Sequence, residues 1–215
     1  AALVKSRDWR NAYEMLATEN RKSPNHILER AMVDILLQAC DASGVVEVAK
    51  PGDGLLPLSG SSGTGGIPEV SVTEFSAGKL QEAIRDQGYL LVRGLLSAES
   101  SAELRYTIDM SMRARMEIGK PRASGMSNDA FYYESPYFPG KHAGFSAQLK
   151  KSDYGPTGSI MVADTPRGAF QVLENYRALE LNGLLAEYFG EPAVIATRKW
   201  VFRVVPPRQM GGGWH

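Results

Sequence analysis

The segment Gln87-Gly-Tyr-Leu-Leu-Val-Arg-Gly-Leu-Leu-Ser97 places a short apolar strand between two helices. Tyr89 to Arg93 is a compact apolar run of strand length, and a glycine stands on either side of it. The pattern before it, from Ser76 to Gln87, is helical and stops at the first of these glycines. A long helix is predicted from about Ser97 to Ile118, because the Ser97 hydroxyl can accept a hydrogen bond from a first-turn amide. A further short strand is predicted upstream, over Pro68 to Val72.

The residues upstream divide into a helical hairpin, residues 1–44, and a Gly/Ser/Pro linker, residues 45–66. Apolar side chains recur at helical spacing over residues 3–20, and Ser23-Pro24 breaks that helix because proline has no amide donor. A second apolar stripe on Ile27, Leu28, Ala31, Ile35, Leu36 and Ala39 predicts the second helix. The order of Ala12, Leu16 and Pro24 is also similar to part of a tetratricopeptide repeat, but such arrays need several copies, which favours a plain hairpin.

The residues downstream predict a long loop, a strand, a helix and a final strand. Residues 119–158 are rich in Gly, Pro, Ser and aromatic residues, which is typical either of a substrate-covering segment or of a surface loop pinned by its own aromatics. A strand is predicted over Ser159–Ala163 and one helix over Pro166–Phe189, ending at Gly190. From Ala193 to Val205, eight of thirteen residues are β-branched or aromatic, which predicts the clearest strand of the chain.

Composition and charge exclude several classes of protein. Hydrophobic residues make up 43% and charged residues 22%, so collagen, wholesale disorder and a disulfide scaffold are excluded. Basic and acidic residues number 24 each, which argues against a protein-wide field for nucleic acid or an anionic membrane. Cys40 is the single cysteine, and no apolar stretch approaches the length of a spanning helix. We expect a cytoplasmic protein with no nucleic-acid or membrane partner.

The carboxyl-terminal stretch is locally basic. Between Ala193 and His215 it contains four positive side chains and no acidic residue, which predicts either a local anion site or a solvated strand face. Strand alternation places Lys199, Val201 and Arg203 on one face, and Arg198, Trp200 and Phe202 on the other. Arg203, with Lys199, is our candidate for contacting an anionic cosubstrate or substrate, the alternative being a salt bridge at a sheet edge.

Two phrases of the sequence resemble the phytanoyl-CoA dioxygenase family of non-haem iron, 2-oxoglutarate-dependent oxygenases. The first is the segment from Gln87 to Ser97, which looks like the family's entry segment. The second is Trp200-Val-Phe-Arg-Val-Val-Pro-Pro-Arg-Gln-Met-Gly-Gly-Gly-Trp-His215, in which a strand, a proline turn and a glycine loop lead to Trp-His. The resemblance covers roughly Ile67 to His215 and leaves the hairpin outside it.

The resemblance implies an α+β fold built on a double-stranded β-helix, the jelly roll of cupin-like proteins, with helices packed outside it. It also implies that His215 is the first iron ligand, followed two residues later by an acid that shares its strand face, with a distant second histidine. Fe(II) would then use 2-oxoglutarate and dioxygen to hydroxylate an unactivated C–H bond of a small organic substrate. Residues 67–215 are expected to be the amino-terminal part of such a domain, inactive alone because ligands are missing. The alternatives are a non-enzymatic helical adaptor and a degenerate oxygenase fold without metal.

Overall fold

The structure, a computed structural model, describes residues 5–42, 66–116, 131–133, 159–192 and 201–204. Within these residues the fold is mixed α+β and mostly helical. The helices are α1 (Trp9–Lys22), α2 (His26–Ala42), α3 (Ala77–Gln87), α4 (Ala98–Met116), α5 (Pro166–Ala178) and α6 (Leu181–Phe189). The strands are β1 (Glu69–Ser71), β2 (Leu91–Arg93), β3 (Ser159–Met161) and β4 (Val201–Arg203). None of the helices in this part of the chain is both long and apolar enough to cross a membrane.

The described residues belong to two compact units of the chain. The first unit takes its described residues from Ala1–Ser43, Glu103–Gln171 and Ala196–His215, and it contains the hairpin α1–α2 and the sheet β3–β4. The second unit takes its described residues from Gly44–Ala102 and Val172–Ile195, and it contains the sheet β1–β2 with α3 and α6. Apart from Gly66, the predicted linker, residues 45–66, lies outside the described residues.

The helical hairpin forms as predicted, with two differences in detail. Arg7 has a φ of 60°, which interrupts the predicted helix, so α1 begins at Trp9, and residues 1–4 lie outside the described residues. At the start of α2 the Asn25 carboxamide oxygen accepts from the Ile27 amide at 2.8 Å, which leaves the Ile27 side chain 63% exposed in the first turn. The buried residues of α2 are Glu29, Met32, Val33, Ile35 and Leu37. Of the predicted apolar stripe only Ile35 is buried, whereas Ile27 is exposed and the other four residues are half-buried, so the stripe was wrong as a prediction of the buried face.

The unit β1–α3–β2 follows the sequence prediction closely. β1 and β2 pair in parallel, with Val70 opposite Val92, and α3 connects them. The Ser76 hydroxyl accepts from the Lys79 amide at 3.3 Å and begins α3. Gly88 ends α3 with a φ of 81°, a left-handed conformation that glycine adopts without steric cost, and its amide donates to the carbonyls of Ala83 and Ile84. The helix α3 packs against α6.

The helices α4 and α5 show one confirmed cap and one unexpected break. The Ser97 hydroxyl accepts from the Ser100 amide at 3.0 Å, as predicted, and α4 begins at the next residue, Ala98. The single helix predicted over Pro166–Phe189 was wrong, because Glu180 adopts a left-handed conformation with a φ of 51°. The Glu180 amide donates to the Arg177 carbonyl at the end of α5, and the Glu180 carbonyl accepts from the amides of Gly183 and Leu184 in α6. The left-handed residue at this turn is neither proline nor glycine, so the sequence carried no signal for the break.

The antiparallel sheet β3–β4 carries much of the core of the first unit. Ile160 faces Phe202 across the sheet, and these side chains are 1% and 8% exposed. The predicted strand at Ser159–Ala163 ends early, at Met161, and continues as a single 3-10 turn over Val162–Asp164. Every residue from Ile160 to Pro166 is buried, so this segment lies inside the unit rather than at its surface.

Candidate functional site

The strand β4 presents Arg203 to solvent. Val201 and Arg203 are exposed, whereas Phe202 between them is buried, which confirms the predicted alternation for these three residues. Arg203 stands opposite Ser159 in the register of the sheet. The other two predicted site residues, Lys199 and His215, lie outside the described residues. Of the predicted site, the structure therefore describes the arginine alone.

Close packing of α5 on β4 fixes which face of the strand turns inward. A Cβ atom added to Gly168 would stand 2.6 Å from Phe202 Cε2 and 3.1 Å from Thr165 Oγ1. The Phe202 ring thus occupies the space that a side chain at Gly168 would need. Because neighbouring residues of a strand point to opposite faces, the inward ring of Phe202 directs Arg203 outward.

A buried carboxylate joins the hairpin to α5. Glu29 is 1% exposed, and its Oε1 accepts from Arg167 Nε at 3.2 Å and from Asn20 Nδ2 at 3.3 Å. Asn20, itself fully buried, also accepts from the Asn25 amide at 2.7 Å and so ties the end of α1 to the hairpin turn. Among the described residues, Glu29 Oε2 is buried without a hydrogen-bond partner. Glu29 is thus a buried acid with hydrogen bonds to one of its two oxygens, and the Arg167 guanidinium is the main group that stabilises it there.

Two arginines lie over two rings of one short segment, and we call Glu29, Arg30, Phe131, Tyr133 and Arg167 the arginine–aromatic cluster. The guanidinium carbon of Arg30 lies 4.2 Å from the centroid of the Tyr133 ring. The guanidinium carbon of Arg167 lies 5.5 Å from the centroid of the Phe131 ring. Both distances are within the range of cation–π attraction, which ring faces offer to guanidinium groups.

A backbone hydrogen bond and a ring contact also hold residues 131–133 in place. The Tyr133 amide donates to the Asp164 carbonyl at 2.9 Å, next to the buried end of β3. The half-exposed ring of Tyr106, on α4, meets the Phe131 ring edge to face, with centroids 6.0 Å apart. Sequence analysis noted the aromatic residues of 119–158 but missed the arginine partners of Phe131 and Tyr133, which come from distant parts of the chain. The rest of residues 119–158 lies outside the described residues.

An acid on α2 gives the first unit a pH dependence. Burial raises the pKa of Asp34 above its ordinary value of about 3.9, against the opposing effect of the Arg30 guanidinium. The folded state therefore holds this proton more tightly than the unfolded chain does. Ionisation of Asp34 costs stability above the raised pKa, and this cost is absent below about pH 3.9.

We therefore expect Asp34→Asn to raise the free energy of unfolding at pH 7. The gain should shrink as the pH falls through the raised pKa, which urea unfolding at a series of pH values will measure. The control is Asp86→Asn, because the exposed Arg85 guanidinium lowers the pKa of Asp86 and the effect has the opposite sign. A loss of stability at pH 7 on replacing Asp34 would contradict the prediction.

The described residues contain no group of three or more His, Cys, Asp or Glu side chains that could hold a metal ion. His215, the residue that we predicted as an iron ligand, lies outside them. Comparison of the chain with models of protein families, with curated proteins and with solved structures finds no match.

Proposed function

We propose that this chain is the amino-terminal part of an Fe(II)/2-oxoglutarate-dependent dioxygenase of the phytanoyl-CoA dioxygenase type. The observation that supports the proposal best is the facing of β4, which buries Phe202 and exposes Arg203. This strand leads directly into the Pro-Pro turn and the Gly-Gly-Gly-Trp-His phrase that carry the resemblance. The folded form of the entry segment, with Gly88 ending α3 and Ser97 capping α4, gives further support.

In this proposal β3 and β4 are strands of a double-stranded β-helix, and the helices lie outside it. The enzyme acts in the cytoplasm on a small organic substrate and consumes dioxygen. Bound Fe(II) and 2-oxoglutarate supply the oxidising chemistry that places a hydroxyl on an unactivated C–H bond. His215 is the proposed iron ligand, since imidazole with a carboxylate is the ligand set that suits non-haem iron.

Arg203 is the proposed site residue that lies within the described structure. An exposed guanidinium at the end of a strand offers a planar pair of donors that suits a carboxylate, such as either end of 2-oxoglutarate. Arg203 would bind and orient that anion, and Lys199 would add a second positive charge from the same strand face. Phe202 contributes by packing against Gly168, which keeps the strand from turning its charged face inward.

The first test is the coding sequence that follows His215, where the proposal requires any residue and then Asp or Glu. The second is succinate release from 2-oxoglutarate by the full-length protein with ferrous iron and a broad panel of small substrates. We expect Arg203→Ala to raise the KM for 2-oxoglutarate by about ten- to hundredfold. The control Arg177→Ala removes an exposed arginine of α5 and should leave that KM unchanged.

A stop codon or an apolar pair after His215 would end the proposal. Absence of succinate release across the whole panel, from protein that carries the required acid, would favour the degenerate fold without metal. A stop codon would instead favour the helical adaptor.

A further inference from the structure

The arginine–aromatic cluster connects one turn of α2 to both ends of a single tripeptide. Arg30 reaches Tyr133 directly. Its neighbour Glu29 reaches Phe131 indirectly, because Glu29 Oε1 accepts from Arg167 Nε and the Arg167 guanidinium lies by the Phe131 ring. Two consecutive residues of the hairpin thus act on the two outer rings of Phe-Tyr-Tyr, by separate routes.

The indirect route runs through a largely buried ion pair. Glu29 is almost fully buried, and the Arg167 side chain is 27% exposed, so their ion pair is poorly screened by solvent. Removing α2 from its position would leave Arg167 without this carboxylate and would take the Arg30 guanidinium away from Tyr133. The tripeptide would then lose the contacts that fix both of its outer rings to the hairpin.

We propose that the hairpin positions the tripeptide Phe131–Tyr133 through Arg30 and Arg167, so that docking of the hairpin and the placement of the tripeptide are one coupled equilibrium. The coupling is reciprocal, because two groups that stabilise each other's position do so by the same free energy. Loss of the tripeptide rings must therefore loosen the hairpin, just as loss of the arginines loosens the tripeptide. This device is a property of the chain itself and does not depend on the oxygenase proposal.

Limited digestion with chymotrypsin tests the first direction, because this protease cuts after Phe and Tyr and reports directly on the tripeptide. We expect Arg30→Met, and the double variant Glu29→Leu with Arg167→Met, which leaves no unpaired buried charge, each to speed cleavage at residues 131–133 by about tenfold, since cleavage follows the population of the open form. Methionine keeps an apolar stem while removing the charge. The matched control is Arg177→Met, which removes an exposed arginine of α5 paired with Glu174 and should leave the rate unchanged.

Hydrogen exchange tests the reverse direction. Tyr133→Leu removes the ring under Arg30 and should speed amide exchange over α2 while exchange over β1–α3–β2 stays unchanged. The proposal is overturned if cleavage at residues 131–133 is the same in Arg30→Met, in the double variant Glu29→Leu with Arg167→Met, and in the unaltered protein. It is also overturned if every cleavage site of the chain speeds up equally, which would indicate global unfolding. Neither measurement uses iron, 2-oxoglutarate or a substrate, so failure of the oxygenase proposal leaves it standing.

Discussion

Replacing Glu29 with alanine should lower the free energy of unfolding by about 3 kcal/mol. The variant removes the carboxylate that accepts from Arg167 Nε at 3.2 Å. It leaves the Arg167 guanidinium partly buried without that carboxylate. It also leaves the Nδ2 donor of the fully buried Asn20 without the acceptor that Glu29 provides. Urea unfolding, followed by circular dichroism, gives the difference directly.

Two companion variants separate a buried ion pair from an ordinary surface contact. Arg177→Ala breaks an exposed pair with Glu174 on α5, and we expect it to cost less than about 0.5 kcal/mol. The double variant Glu29→Leu with Arg167→Met replaces both charges by apolar groups, and it should recover most of the stability lost in Glu29→Ala. A cost for Glu29→Ala no larger than that of Arg177→Ala would contradict the burial of this carboxylate.

The second large effect is expected at Gly168. Gly168→Ala should lower the free energy of unfolding by about 1–3 kcal/mol, because the new Cβ would stand 2.6 Å from the Phe202 ring. Thr165 Oγ1 lies on the other side at 3.1 Å, so the ring and the helix must move apart. That movement would shift Phe202 in β4, which is why thermal unfolding should be measured together with the near-ultraviolet signal of the aromatic residues.

Gly183→Ala is the matched control, because the same substitution has the opposite sign there. Gly183 lies in α6, and an added Cβ would meet nothing within 4 Å. Alanine loses less backbone freedom than glycine on entering a helix, so this variant should gain about 0.5–1 kcal/mol. If both variants changed stability in the same direction, the close approach of α5 to Phe202 could not be the cause.

Local signals in the sequence predicted the elements that local chemistry controls. Gly88 was predicted to end α3 because glycine adopts a left-handed conformation at little cost, and the structure places it there. Ser97 was predicted as a cap because a hydroxyl can accept a first-turn amide within the same few residues. The alternation at Val201, Phe202 and Arg203 followed from strand geometry alone.

Elements set by distant partners were not predictable in this way. Glu29 interrupts an apolar face, and its inward position follows from Asn20 and from Arg167, which is far away in the chain. The break at Glu180 contains no glycine or proline that could have predicted it. It depends instead on backbone hydrogen bonds that end α5 and begin α6. Of the candidate site, Arg203 was predicted to share a strand face with Val201, and both residues are exposed, while the roles of Arg203, Lys199 and His215 stay predictions.

The sequence separation of the Glu29–Arg167 contact has a consequence for the nascent chain. Glu29 leaves the ribosome 138 residues before Arg167, which at typical synthesis rates is a delay of roughly 7 to 30 seconds. During that time the inward-facing carboxylate of Glu29 lacks the arginine of α5 that pairs with it. The hairpin therefore completes its ion pair only after the chain has been made as far as α5, so translation speed after codon 29 should influence the yield of folded protein.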